Sequence, residues 1–373
     1  MRILYADTFT CYPLGLAGGN RSNHLLLRML AARPGVSCQV IVPKTAIGAP
    51  RPDYFPKPRD FAALGIRELR DEGDRWFFDC GYPIWVVDRL EPALDAACAE
   101  LRPDVLLTSS MDPEALARRV RGRGVATVCC VRDVRSEAAS VQALVAAGGR
   151  LLACSRYMAR WLWATAGVPA EVLYPLVPRQ DYQVEPDPDG CILLINPDPD
   201  KGFDTFLRIA ALLPEERFLV VESWPLNDAL PEVLAALAPL PNVRFLPRLA
   251  DVREAYRQGR LLLVPSKLEE AAGRVVLEAQ WSGIPALVSE RGGLPEMVGD
   301  GGLVIADYLD PEAWAEAIRG LRDPARRARL SQAARDNAAR EELSPDHIAE
   351  RLLATFRGAI ADLARREAAA GHG

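Results

Sequence analysis

Histidine is nearly missing from this sequence, with three among 373 residues: His24, His347 and His372. No cluster of Cys and His is available for a zinc site. His24, the one histidine of the first half, sits among leucines on a helical pattern, so a nucleophile–histidine pair is unsupported. A basic surplus is also missing, since 45 Lys and Arg face 50 Asp and Glu for a formal charge of −5. Nonspecific nucleic-acid binding needs the opposite balance and is excluded as a leading function. The longest stretch without a charged residue runs over positions 8–20, far short of a membrane span. The opening MRILYADTF lacks the basic end, apolar stretch and small-residue cleavage site of a secretory signal. The eight cysteines are scattered without a C-x-x-C pair. They read as small core hydrophobes of a reduced, cytoplasmic protein.

What is present is ordinary globular composition, 49% hydrophobic and 25% charged, in a chain too long for one core. Short apolar runs alternate with helical patterns. Strands are expected at 1–6, 37–42, 76–78, 105–108, 125–131 and 150–154, with helices at 20–32, 92–101, 113–121 and 155–166. That alternation predicts a parallel sheet covered on both faces. LYPLVPRQDYQVEPDPDG, at 173–190, is rich in prolines and acids and reads as a connector. A second alternation follows from Cys191 to about 288, and positions 311–370 are almost wholly helical. The expected organisation is α/β with two Rossmann-like domains facing a cleft: an N-terminal domain 1–172, a linker 173–190, a C-terminal domain 191–345, and a last helix 346–373 returning to the first domain. Ligands in such sheets bind beyond the carboxyl ends of the strands.

The most informative stretch is VPSKLEEAAGRVVLEAQWSGIPALVSERGGLPEMV, at 264–298. Glu270 and Glu278 stand eight positions apart with Gly273 between them at a strand-to-helix corner. Such a corner presents unpaired N–H groups and suits a diphosphate, with Ala271, Ala272, Arg274 and Val275 beside it. Glu278, about one turn into the helix, has two oxygens for the two hydroxyls of a ribose. Glu270 reaches a sugar attached beyond the phosphates. The glycines that follow, Gly283, Gly292 and Gly293, are costly for stability and are read here as ligand-driven.

This segment resembles the retaining glycosyltransferases of family 4, which have the GT-B fold. Pro265, Ser266, Glu270, Gly273, Glu278, Ala279, Gly283, Pro285, Gly292, Gly293 and Glu296 match their pattern, and weaker similarity covers nearly the whole chain. The resemblance implies a loop, here INPDPDKGFDTFL at 195–207, that carries an arginine and a lysine for the diphosphate. Lys201 matches. Asn196 stands at the arginine position, so either Arg248 or Arg274 replaces that cation or diphosphate binding is weaker. The pairs Asp198/Asp200 and Asp187/Asp189 lie in proline-rich turns and are read as turn formers, not metal ligands.

In the first half, GLAGGN at 15–20 is a glycine loop before a helix. The resemblance places Gly18 and Gly19 near donor phosphates and acceptor. Arg132-Asp133 stands where the family often has His-Asp, so Asp133 matches and Arg132 departs. The resemblance implies a metal-independent retaining transferase taking a nucleotide-diphospho-sugar donor, a UDP-sugar foremost, with no resident cofactor. Lys201, Glu270, Arg132 and Asp133 would be catalytic. The acceptor, from loops around Gly18, positions 51–61, Met111 and Arg132, would be a sugar, a lipid-linked glycan or a small metabolite. Arginine-rich helices leave peripheral membrane contact open. Two alternatives stand beside this: a GT-B-shaped epimerase or phosphorylase, and a non-catalytic sugar-nucleotide binder.

Overall fold

The computed structural model describes all residues except 16, 45–65, 67, 224–225 and 371–373. The acceptor loop expected at 51–61 therefore lies outside the described residues. Two compact units result: Met1–Leu176 together with Pro345–Gly373, and Val177–Ser344.

The first unit holds a sheet that has nine strands among the described residues. Its parallel part runs Pro83–Val87, Ser37–Pro43, Arg2–Ala6, Val105–Thr108, Ala126–Val131, Arg150–Ala153 and Glu171–Val172. Alternation along the first strand shows why both faces are covered. Ile3 and Tyr5 face one side, packed with Leu26, Leu27 and Leu30 of the helix Gly18–Ala31 and with the helix Pro345–Ala370. Leu4 and Ala6 face the other side, against Leu90, Leu94 and Ala97 of the helix Leu90–Leu101 and Leu116 of Pro113–Val120. One edge departs from the parallel plan. Arg75–Asp79 runs antiparallel to Pro83–Val87, through a turn in which Asp79 Oδ1 accepts from the Gly81 amide at 2.7 Å. The Pro-led strand at 83–87 was not legible, because a proline at a strand start mimics a loop.

The chain after residue 172 does more than connect. Leu173 and Leu176 are buried in the first unit's core, whereas Tyr182 is buried in the second unit. The last helix, Pro345–Ala370, belongs to the first unit and gives it Ile348, Leu352, Phe356 and Ala359.

The second unit is a wholly parallel sheet whose order is Val243–Leu246, Phe218–Val221, Cys191–Ile195, Gly259–Val264, Ala286–Ser289, Gly302–Ile305. In chain order this is 3-2-1-4-5-6, so the connections reverse direction between Cys191–Ile195 and Gly259–Val264. The loops leaving those two strands diverge there, which leaves a crevice at the sheet's carboxyl edge. Phe206, Ile209, Trp314 and Ile318 fill the core behind one face.

His24 is buried, with Nδ1 2.7 Å from the Tyr82 hydroxyl and its ring 4.5 Å from that of Tyr12. Burial, with Arg21 and Arg28 nearby, pulls its imidazole down from 6.5 to about 4. Below pH 6.5 the unfolded chain takes up a proton that the folded imidazole refuses until about pH 4, so stability falls as pH drops through that window. At pH 5 the loss is about 2 kcal/mol. His24→Gln should flatten that slope in melting curves between pH 7 and 5, and an unchanged slope would remove His24 as its cause. Phe356, fully buried on the last helix, should cost about 3–5 kcal/mol when changed to Ala. A melting temperature equal to wild type would show that the helix contributes little to the first unit.

Candidate functional site

In the second unit the crevice loops are residues 196–202 and 265–273. The first leaves the sheet through Asn196, whose φ of +65° is tolerated by asparagine. Its Oδ1 accepts from the Ser223 amide at 2.9 Å. The side chain is thus spent on holding the neighbouring loop and presents no cation. Asp198 Oδ1 then accepts from the amides of Asp200 (2.8 Å) and Lys201 (3.3 Å), closing a one-turn helix. Both of these observations give Asp198 a turn-making role. Among the described residues no group of three or more His, Cys, Asp or Glu is placed to hold a metal ion.

Lys201 ends that turn with its Nζ 2.5 Å from Glu270 Oε1. The same carboxylate oxygen accepts from Ser266 Oγ at 2.9 Å. Two residues 69 apart in sequence, one from each crevice loop, therefore meet where the sheet's connections reverse. Glu278 lies in the helix Arg274–Gln280. Its Oε1 pairs with Arg274 at 3.0 Å, and its Oε2 accepts from the Tyr256 hydroxyl at 3.2 Å. Arg274 is further fixed by Tyr182 at 2.9 Å. Burial first, and then the nearby Glu278 carboxylate, raises the Tyr256 hydroxyl well above its ordinary value, so Tyr256 stays a donor. Arg274 is tied to Glu278. Arg248 is exposed and has no ion pair among the described residues.

Sequence alone did not point to Ser266, Tyr182 and Tyr256 as the hydroxyls that orient the two glutamates. Tyr182 lies in the proline-rich stretch and Tyr256 in a five-residue helix, neither of which carries a pattern. The glycines have a nearer cause than a ligand. A Cβ at Gly202 would overlap the Pro265 carbonyl oxygen, and one at Gly292 (φ +59°) would overlap the Glu270 backbone. A Cβ at Gly293 would come within 2.8 Å of the Ala271 oxygen, and the Gly293 amide donates to the Glu270 carbonyl at 2.6 Å. Gly273 (φ +83°) turns the chain into the helix and has Leu294 Cδ2 2.5 Å from where a Cβ would stand. Ala271, Ala272 and Val275 complete this corner, with Ala272 buried.

In the first unit Gly18 and Gly19 open the helix Gly18–Ala31, which has no side-chain cap at Ala17. Arg132 lies beside them, 3.8 Å from where a Gly19 Cβ would stand, and its Nε donates to Asn23 Oδ1 at 2.9 Å. Asp133 is held by Arg135, with contacts of 3.0 and 2.6 Å. Met111 is exposed in the short loop between Val105–Thr108 and Pro113–Val120. Among the described residues no helix is long and apolar enough to cross a membrane.

The family model described as "Glycosyl transferases group 1" matches residues 190–337. All of them lie in the second unit. The match covers about two fifths of the chain and shows that the second unit is similar to this family. Among curated relatives, the D-inositol 3-phosphate glycosyltransferase of Mycobacterium avium (strain 104) is 40% identical over 174 residues, 43% of this chain and 40% of its own length. Its counterpart in Rhodococcus opacus (strain B4) is 40% identical over 178 residues, 43% of this chain and 38% of its own. The chain thus spans about two fifths of the curated relatives' length. Among solved structures, Anabaena Alr3699/HepE, in complex with UDP and glucose, aligns with TM-score 0.71 and 16% identity, covering 96% of this chain and all of that one. Sucrose-phosphate synthase from Thermosynechococcus elongatus aligns with TM-score 0.75 and 15% identity, covering 97% and 100%. At those identities the likeness is one of fold, and the fold is GT-B. The segment that matches the family model contains Lys201, Glu270, Gly273 and Glu278 together.

The close approach of Gly292 to the Glu270 backbone predicts that Gly292→Ala loses about 2 kcal/mol or more, from the strained φ plus the overlap. Its melting temperature should fall clearly below that of wild type. An unchanged value would mean that the two loops are not braced against each other.

Proposed function

We propose that the protein is a retaining, metal-independent glycosyltransferase that moves a sugar from a nucleoside-diphospho-sugar, a UDP-sugar in the first instance, to an acceptor hydroxyl. The observation that carries this reading is the Lys201–Glu270 pair at the reversal point of the second unit's sheet. A lysine there offers a point charge to a diphosphate. Once the phosphates draw Lys201 away, Glu270 keeps Ser266 as its donor and turns its freed lone pairs to sugar hydroxyls. The ribose falls to Glu278, whose carboxylate is aimed by Arg274 and Tyr256 before any ligand arrives. Preorganisation of this kind lowers the cost of binding.

Breaking the sugar–phosphate bond builds negative charge on the departing diphosphate. Lys201 and the amides at the Gly273 corner stabilise that charge, which makes leaving-group stabilisation the main catalytic contribution. No carboxylate is assigned as a nucleophile. The acceptor hydroxyl attacks on the face from which the phosphate departs, and a phosphate oxygen takes the proton. The first unit's glycine loop and Arg132 offer the acceptor surface. UDP in the HepE structure and the sugar-phosphate name of the curated relatives support, for this chain, a uridine donor and a polar acceptor.

A second reading, a sugar-nucleotide binder without transferase activity, is favoured by Asn196, whose side chain is committed to Ser223. Transfer of label from UDP-sugars to a panel of acceptors separates the two. Glu278→Gln keeps the side chain's shape and should raise the donor KM by about tenfold or more, the worth of hydrogen bonds to a charged group, in a chain that still folds but melts lower because Arg274 loses its counter-charge. Donor kinetics equal to wild type would remove the ribose assignment.

A further inference from the structure

The first unit's sheet also reverses its connections, between Arg2–Ala6 and Val105–Thr108, and a line of buried polar side chains crosses that point. Asp7 and Ser109 follow those two strands, Arg132 follows Ala126–Val131, and Asn23 comes from the helix Gly18–Ala31. Phe9 donates its amide to Asp7 Oδ1 at 3.1 Å. The Tyr5 hydroxyl donates to Asp7 Oδ2 at 2.8 Å. Asn23 Nδ2 donates to the Tyr5 oxygen at 2.8 Å, and Asn23 Oδ1 accepts from Arg132 Nε at 2.9 Å and Ser109 Oγ at 3.3 Å. Tyr5, Asp7 and Asn23 are 1%, 6% and 7% exposed.

The line has one direction. A carboxylate accepts only, so Tyr5 must donate to Asp7, and its oxygen is left to accept from the Asn23 amide nitrogen. That fixes the Asn23 carbonyl toward Arg132. Tethered at Nε, Arg132 makes no other hydrogen bond or ion pair among the described residues. Its two terminal nitrogens stay available as a fork for an oxyanion. Gly19 leaves space beside it, and the adjoining helix start has neither a side-chain cap nor an acid in its first turn. Buried polar lines are costly unless complete. This one is complete, and it ends on an unspent cation.

We propose that Arg132 binds a phosphate group of the acceptor and that Asn23 is the positioning residue that aims it. The word acceptor rests on the transferase reading above, whereas phosphate binding does not. The test uses the full chain carrying Lys201→Ala and Arg248→Ala, which removes the second unit's two available cations, with inorganic phosphate as the probe at constant ionic strength. Melting temperature should rise saturably with phosphate. Adding Arg132→Gln should abolish the rise, and Arg132→Lys should restore part of it. Asn23→Leu should raise the half-saturating phosphate concentration by about fivefold or more, the worth of one lost hydrogen bond. Tyr5→Phe, which removes a single oxygen and keeps the core filled, should shift half-saturation in the same direction. A purely structural line would lower melting temperatures and leave half-saturation unmoved. Absence of a saturable rise, or the same rise in Arg132→Gln, overturns the anion site. Half-saturation unmoved in both Asn23→Leu and Tyr5→Phe overturns the positioning role. UDP added to the chain with Lys201 intact reports the second unit separately, so failure of the donor reading shows there and leaves the phosphate result standing.

Discussion

The second unit depends on backbones that approach one another more closely than any side chain allows. The loop 265–273 lies between Gly202 on one side and Gly292 and Gly293 on the other, each pressed against its peptide groups. Further bonds secure it: Lys267 donates its amide to Asp200 at 3.0 Å, and Ser289 Oγ reaches the Ser266 carbonyl at 2.6 Å. Arg291 pairs with Glu269 at 2.7 Å. An irregular loop fixed at this many points holds Glu270 as firmly as a strand would, which is what a charge-recognising site needs. The glycines therefore act through the rigidity of the loop that carries the glutamate.

Both glutamates have their charge balanced by neighbouring side chains. Neither carboxylate stands alone. Glu270 has Lys201 and Ser266, and Glu278 has Arg274 and Tyr256. An unpaired carboxylate in a half-buried crevice would be expensive, whereas a paired one can exchange a partner for a ligand at modest cost. The first unit handles its polar groups differently, with a line that terminates on Arg132 and leaves the cation open. The two units share a strand order about their reversal points and differ in that the second pairs its charged side chains there.

Much of the architecture was legible because buried parallel strands are short, apolar and spaced by helices. Cys191–Ile195, Val105–Thr108 and Val243–Leu246 sit where their residues alone place them. The helix expected at 155–166 forms as Arg156–Ala166, with the Ser155 hydroxyl accepting from the Met158 amide at its start. The strand Pro83–Val87, the helix Ala138–Ala146 and the last strand Gly302–Ile305 were not, being proline-led, weakly amphipathic or half-exposed. At the site, residue types with a chemical meaning could be picked out: Lys201, Glu270, Glu278 and the Gly273 corner. What could not be read was pairing. Nothing in the text around Tyr182 or Tyr256 says that their hydroxyls converge on Arg274 and Glu278, because that convergence is made by tertiary packing across 92 and 22 residues. The purpose of Gly292 was misread for the same reason, since a close backbone contact leaves no local signal.

The central claim is that the reversal point of the second unit's sheet is a cradle for a nucleoside diphosphate. A crystal structure of the protein with UDP tests it most directly. Ribose hydroxyls are expected on the Glu278 carboxylate, phosphate oxygens at the Gly273 corner, and Lys201 turned from Glu270 onto the phosphates. Nucleotide bound elsewhere, with the Lys201–Glu270 pair undisturbed at full occupancy, would contradict it.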